Sequence, residues 1–567
     1  MSLHEVDSAI SPKTLMRSGT FVEALGIVIL LHGVLYALMQ RHVPEPYMDE
    51  LFHVPQAQRF CNATRLEDVQ WDPKITTPPG IYLAAATASS ALAGGSKLFG
   101  LVGDVELTTV CSVGFLRGIN ALAFGPLCFV VLVSILTTLH HGSSYCGSWK
   151  DGSGRSEITT TEAGSKAAEK TTASAGEVLI PAVILRALRG HLLFVSFFYH
   201  FIFYTETLST LLLLLMLKCH LERHTRAAGV FGCASLFARQ LNIVWVFAAA
   251  LADLLTEARL TSMADVTAHV RSFAGMRLLI GKCSSIAIRR LPLHIAAGVG
   301  FLTFVKWNNG QLALGHQEFH QISPHLAMLL YLGVLLPTLG FFFPRNVEDY
   351  YRTGSITKTF ELLKEDFLTA ETAALTLKIW VFFSLCSTLV LAHPFLLADN
   401  RHLSFYAWRR VFSKPPLRIV ACPLAATAAT LLYLGGRAGD TGGNDEKEKK
   451  TTKSEDDASG KKGDQQAAVK TALLTARELA LGPYRSQLFV FGFCTVLSLA
   501  ALPLLEFRYF LVPLLCLTLA HPMQSVRTEL LGLVLSFGLT SGVWVLFLGK
   551  TFADEQKWGP GLQRIML

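Results

Sequence analysis

The chain has 567 residues, of which 51% are hydrophobic and only 16% charged, against about 25% charged in an ordinary soluble domain. With a mean hydropathy of +0.41, that deficit excludes a water-soluble globular protein and indicates a polytopic membrane protein. The net charge of +8 falls on connectors at one side of the membrane, so it does not require nucleic acid as a partner.

A short basic segment with Lys13 and Arg17 precedes the first apolar run, residues 21–39. The run is too long for a cleavable signal and lacks a small-residue cleavage site, so it reads as an uncleaved signal anchor. Pro46-Tyr47-Met48-Asp49-Glu50-Leu51-Phe52-His53 follows, then Gln70-Trp71-Asp72-Pro73-Lys74-Ile75-Thr76-Thr77-Pro78-Pro79-Gly80. Acids, a His, aromatics and turn formers so close to a bilayer are costly to retain and point to a site. Asp49 and Glu50 read either as a general base at the membrane surface or as solvated loop acids, one capping a helix that starts near Leu51. The Thr-Thr-Pro-Pro-Gly run is a rigid turn. Residues 80–100 are apolar but rich in Ala, Ser and Gly, and could span or lie on the surface.

Further apolar runs lie near 111–138, 179–203, 207–221, 228–238, 242–255, 291–306, 324–343, 374–393, 416–435, 487–504, 509–520 and 529–549. At 1.5 Å rise per residue they amount to about 12–14 transmembrane helices. The positive-inside rule places the N-terminus, 218–226, the basic segment 259–290 and the Lys358–Lys364 connector on the cytosolic side, provided 80–100 does not span. Two polar stretches, 141–176 and 439–466, fall on that side too and read as disordered loops. The opposite side collects the unusual loops and the sequon Asn62-Ala63-Thr64, as expected of a lumenal face.

The 11 Cys are scattered, with no CxxC pair. They read as small hydrophobes rather than as a disulfide framework or a zinc site. His316 and His320 stand at i, i+4 with Glu318 between them, and surface loop His is the simpler reading.

Three polar clusters remain. His393 opens a stretch that continues through Asp399-Asn400-Arg401-His402 into Phe405, Tyr406, Trp408, Arg409 and Arg410. It suits a phosphate held by guanidinium at the bilayer surface, or an interfacial belt of aromatics and Arg. Glu506-Phe507-Arg508-Tyr509 breaks two apolar runs with an acid and a base two residues apart, either a neutralising pair or a contact for a phosphate or sugar. Arg117 and Arg239-Gln240 are intramembrane polars that need partners, from substrate or from the bundle itself, and Tyr204-Thr205-Glu206 is one of the unusual loops of the lumenal side.

With these motifs assembled, the chain resembles the dolichyl-phosphate-glucose-dependent alpha-1,2-glucosyltransferases of the endoplasmic reticulum. The resemblance rests on Pro46–Gln58, on Trp71-Asp72-Pro73 with Ile75–Gly80, on Tyr204-Thr205-Glu206, on Arg239-Gln240 with Asn242, on Leu396–His402 and on Leu505–Tyr509. It departs from the family pattern in the two polar insertions and in Arg564-Ile565-Met566-Leu567, which lacks an aromatic. The resemblance implies an all-α polytopic bundle of the GT-C type, one transmembrane domain over 1–567, with surface helices and the catalytic acid in a first lumenal loop, 41–108. It implies an inverting transfer of glucose from dolichyl phosphate glucose to the terminal glucose of a lipid-linked oligosaccharide in the endoplasmic reticulum membrane.

In that scheme Asp49 is the base and Glu50 the alternative. Arg401, His402, Arg508 and His393 would hold the donor phosphate. Tyr47, His53, Trp71, Asp72, Glu206, Arg239, Gln240, Asp399, Asn400, Glu506 and Tyr509 would line the substrate site. No metal or other cofactor is expected, since no paired metal-ligand motif stands out. The expected partners are the two lipid-linked substrates and membrane lipids. The alternatives are another polyprenyl-phosphate-sugar transferase of this class, or a multi-span transporter or channel regulator.

Overall fold

The computed structural model describes residues 15–98, 111–145, 180–258, 260, 271–319, 323–339, 369–437, 485–521, 523–554, 556 and 562–567. The expected polar loops therefore lie outside the described residues from 146 onward in the first case and entirely in the second, as do His320 and the Lys358–Lys364 connector. The chain is an all-α polytopic membrane protein whose two short strands, Thr551–Phe552 (β1) and Gln563–Arg564 (β2), pair antiparallel near the C-terminus.

α1 (Gly19–His42) is capped by Ser18, whose hydroxyl accepts from the Phe21 N–H. Its exposed Val22, Ile27, Ile29, Leu30 and Val34 form an apolar surface of the kind that faces lipid. α2 (Glu50–Asn62) and α3 (Gly80–Leu98) make up the first loop. The second span runs over Val113–Leu139 (α4) with a π-helical turn at Ile119–Phe124. That wide turn is met by His32 of α1, whose ring nitrogen lies 2.5 Å from the Ala121 carbonyl. Gly125 leaves room for it, since a Cβ there would come within 2.4 Å of the His32 ring.

The expected run 179–203 is not one straight helix. It bends by 55° between α5 (Ile180–His191) and α6 (Phe194–Phe201). α7 (Thr205–Leu221), α8 (Thr225–Ala238) and α9 (Ile243–Glu257) follow as a packed hairpin series. α10 (Phe273–Arg290) turns by 94° into α11 (Pro292–Trp307), where Pro292 opens the helix with no N–H to satisfy. Later helices include α12 (Ala327–Leu335), α13 (Ala370–Cys386), α14 (Leu403–Ala407, preceded by a short helix at Pro394–Ala398), α15 (Pro415–Arg437), α16 (Arg485–Ala500), α17 (Leu511–Ala520) and α18 (Val526–Gly549).

Among the described residues five helices are long and apolar enough to cross a bilayer singly, or seven with each bent pair counted once. Several of the other expected runs are helices of 10–17 residues, at Ala327–Leu339, Val490–Ala500 and Phe507–Ala520, shorter than the roughly 20 residues a spanning helix needs.

One apolar cluster fills the centre of the bundle. A second one, with Val54, Ala57, Ile75, Ile81, Tyr82, Leu116, Phe203, Leu208 and Ala238, fastens the first loop onto the ends of α4, α7 and α8. The loop backbone approaches α8 so closely that a Cβ at Gly80 would meet the Phe237 carbonyl oxygen at 2.4 Å. Cys61 and Cys111 are joined by a disulfide, contrary to the expectation that the cysteines are only small hydrophobes. The bond joins the end of α2 to the start of the second span, two positions that their spacing of 50 residues did not suggest as a pair.

Candidate active site

The site begins with a turn. Met48 adopts a left-handed backbone (φ 57°), a strained region for a residue with a Cβ, and is held there by burial at 5% exposure. The turn delivers Asp49 to the N-cap position of α2, yet its carboxylate makes no capping bond. The side chain is 42% exposed and therefore reachable. Its own N–H donates to the Tyr204 hydroxyl at 2.8 Å.

The next residue has the opposite fate. Glu50 is fully buried against Arg117, itself fully buried. Arg117 Nε and Nη2 donate to the two carboxylate oxygens, and the N–H groups of Tyr47 and Phe203 add bonds of 3.0 and 2.7 Å. Arg117 also donates to the carbonyls of Val43 and Glu45, pinning the exit of α1. Glu50 has no oxygen left for a substrate proton. This corrects its place as alternative base, and Arg117 finds its partner within the protein.

Around Asp49 stands a connected polar network. Arg508 Nη1 lies 3.4 Å from both Asp49 Oδ2 and Glu206 Oε1, and its Nε donates to Glu506. Arg239 donates to the same Glu206 oxygen. Two features leave this network open to a ligand. Arg508 Nη2 makes no hydrogen bond among the described residues, and neither does the buried Glu206 Oε2. Tyr509 presents its ring to the Arg508 guanidinium, 5.8 Å away.

His53, one turn along α2, lies with its Nδ1 2.5 Å from the Tyr82 hydroxyl and its ring 5.7 Å from that of Tyr204. Tyr82 packs in turn on Trp71 and Phe60, so an aromatic wall runs from Asp49 to Trp71. The Trp71 Nε1–H and the Thr77 hydroxyl are buried without partners among the described residues.

A second arm comes from the loop before α14. Asp399 grips Arg401 through Nε at 3.0 Å and Nη2 at 2.8 Å, and His402 Nε2 lies 3.9 Å from the same carboxylate. Tyr47 feels the charges of both Arg401 and Asp399, and Asp49 feels that of His402. Asn400 is half-buried in the same loop.

Electrostatics set the protonation of the acid. Burial works to raise the Asp49 carboxyl, but Arg508, with smaller contributions from His53 and His402, outweighs it and holds the group below the ordinary carboxylate range. His53 goes the other way for its class. Burial lowers it despite the pull of Asp49 and Glu206. Asp399 is lowered as well, because bonding to Arg401 and the charge of His402 overcome its burial.

Three expected site residues, His393, Asp72 and Gln240, take other places. His393 is buried with His325 as an electrostatic neighbour. Asp72 closes its own turn, accepting from the Lys74 N–H at 2.9 Å. Gln240 ties two loops together by donating to the carbonyls of Thr76 and Leu312. Arg401 carries a charge offset by Asp399.

Sequence reasoning left out Tyr82, Tyr199 and Tyr204 as site residues, although Tyr204 precedes Glu206 in a stretch already singled out. It also left out residues 563–567, which no periodicity marks.

The model of the DIE2/ALG10 family matches residues 43–519. Two human proteins named Dol-P-Glc:Glc(2)Man(9)GlcNAc(2)-PP-Dol alpha-1,2-glucosyltransferase are 29% and 30% identical, each over 70% of this chain and 76% of their own length. A mouse protein of the same name is 25% identical over 94% of this chain and 96% of its own. No solved structure matches. From the first loop to α17, where the site residues lie, the chain belongs to the DIE2/ALG10 family.

Proposed function

We propose that this protein transfers glucose from dolichyl phosphate glucose to the terminal glucose of Glc2Man9GlcNAc2-PP-dolichol in alpha-1,2 linkage, at the site built around Asp49. Membership of the family and the names of its relatives support the reaction. The observation that carries the site is Asp49 itself: a reachable, ionised carboxylate facing an Arg with an unused nitrogen.

Asp49 takes the proton from the acceptor 2-hydroxyl as that oxygen attacks the anomeric carbon. The bond from carbon to phosphate oxygen breaks, and its electron pair leaves with dolichyl phosphate. Starting from a β-linked donor, this single displacement inverts the centre. The leaving group is a stable anion, so it needs positive charge nearby rather than a proton. Arg508 supplies that charge through its unused Nη2, and His402 stands across the site. Glu206 Oε2, the Trp71 Nε1–H and the Thr77 hydroxyl are buried acceptor and donors for sugar hydroxyls, groups whose desolvation a bound sugar would repay.

The reading puts this site on the lumenal side of the endoplasmic reticulum membrane. Three observations support it. The sequon at Asn62 and the Cys61–Cys111 disulfide lie in the same loop as Asp49, disulfides form in oxidising compartments, and the basic connectors belong to the other side.

Asp49→Asn keeps the shape and removes the base. Its expected effect is a loss of about 10²–10⁴-fold in transfer, measured with synthetic donor and acceptor in detergent, with donor affinity kept. Transfer at the wild-type rate would sink the assignment. In cells lacking their own enzyme, the wild-type chain should remove the accumulated glycan that lacks only the last glucose.

A further inference from the structure

Residues 563–567 lie far from the first loop in sequence and against it in space. Tyr47 and Arg564 exchange two hydrogen bonds: the Tyr47 hydroxyl donates to the Arg564 carbonyl at 2.6 Å and accepts from its N–H at 2.8 Å. The Arg564 side chain reaches the ends of two spans. It donates to the Phe547 and Leu548 carbonyls of α18, at 3.2 and 2.6 Å, and to the His42 carbonyl of α1 at 2.9 Å. Carbonyls in the last turn of a helix have no partner within it, and a cation there also meets the negative end of the helix dipole. Arg564 therefore fastens α1, α18 and the Tyr47 turn at one point.

The next residues turn to the other arm of the site. The Met566 N–H donates to the Arg401 carbonyl at 2.7 Å, and the Leu403 N–H donates to the Met566 carbonyl at 2.6 Å, so the segment pairs with His402 as a short parallel bridge. The Leu567 carbonyl accepts from the Tyr199 hydroxyl at 3.2 Å and lies 3.3 Å from His402 Nδ1. The Tyr199 ring is 5.9 Å from Tyr204, whose hydroxyl holds the Asp49 backbone. Ile565, Met566 and Leu567 are all buried.

We infer that residues 563–567 are a positioning strap for the donor-phosphate arm, with Arg564 as its anchor and the Met566 backbone as its grip on Arg401 and His402. The inference rests on the site proposed above and adds a specific role within it. The strap sets the distance between the arm that bears His402 and the base. It bonds the Tyr47 hydroxyl in the turn before the base and the backbone of the His402 arm, but makes no bond to the Asp49 carboxylate, so its loss falls first on the donor arm.

The test compares Arg564→Ala, Arg564→Lys and Met566→Pro, the last removing the N–H that Arg401 accepts. Each full-length variant is purified in detergent and assayed with dolichyl phosphate glucose and a synthetic acceptor. Arg564→Ala and Met566→Pro should raise the KM for donor by about 10-fold or more, as expected when a binding group shifts by a fraction of an ångström. The KM for acceptor should stay within about twofold, and Arg564→Lys should recover most of the donor affinity. An unchanged donor KM in both Arg564→Ala and Met566→Pro overturns the strap. So does a parallel rise in both KM values that tracks a fall in thermal stability, since that is a general loosening of the fold. The base is tested apart from this by Asp49→Asn: transfer surviving there, beside a raised donor KM in Arg564→Ala, removes the base and keeps the strap.

Discussion

Asp49 and Glu50 are neighbours in sequence with different work, because the left-handed turn at Met48 and the start of α2 send one side chain outward and the other into the protein. Glu50 is consumed by Arg117 and two backbone donors. Asp49 remains reachable with Arg508 beside it. The pairing has a pH consequence. A carboxyl held below its ordinary value stays ionised at every pH from neutral down to that value, and base function is lost only as pH falls through it. In Arg508→Gln the main opposing charge is gone and burial, the largest influence on Asp49, is left to raise it. The acid limb of the kcat/KM profile should therefore move to higher pH in Arg508→Gln, whatever the height of the profile. A limb that stays in place would show that Arg508 does not tune the acid. The clusters around Asp49, Glu206, Arg508 and Asp399 were legible as motifs, since charged residues beside apolar runs stand out. The division of labour between Asp49 and Glu50 was not legible, because it depends on Arg117, which lies 67 residues away.

At the scale of elements, the first loop is held at three points: by the apolar cluster under α2 and α3, by the close approach of Gly80 to α8, and by the Cys61–Cys111 bond. The disulfide closes a loop that contains all of α3. By the chain-entropy account a loop of this size contributes about 4 kcal/mol by restricting the unfolded chain. Cys61→Ser and Cys111→Ser should each lower the thermal unfolding midpoint in detergent, and the double variant should lower it no further than either single one. Additive losses would mean the two sulfurs act separately. The helices themselves were largely legible, because apolar runs and turn formers mark their limits. The 55° break between α5 and α6 has no proline at it, and Arg189, Gly190 and His191, which stand just before it, do not by themselves announce a turn.

For the molecule as a whole, the distribution of charge predicts an orientation that can be read directly. In sealed microsomes, added trypsin should cut within the lysine-rich stretch 439–466 and leave the Asp49 loop intact until the membrane is opened by detergent. Cutting in the first loop of intact vesicles would reverse the assigned topology. That the chain is an all-α membrane protein was legible from hydropathy, but its closure was not. Tyr47 and Arg564 stand 517 positions apart, and no local pattern announces a contact over that span.

That separation also dictates timing. A ribosome delivers Asp49 and its aromatic wall early, while residues 563–567 emerge after every other part of the site. Contacts of such range close slowly, since loop-closure entropy must be met before they form. A nascent chain would thus carry its base in place for most of its synthesis without a finished donor arm. Competence for transfer would arrive late, only once residues 563–567 have joined the arms that precede them by more than 150 positions.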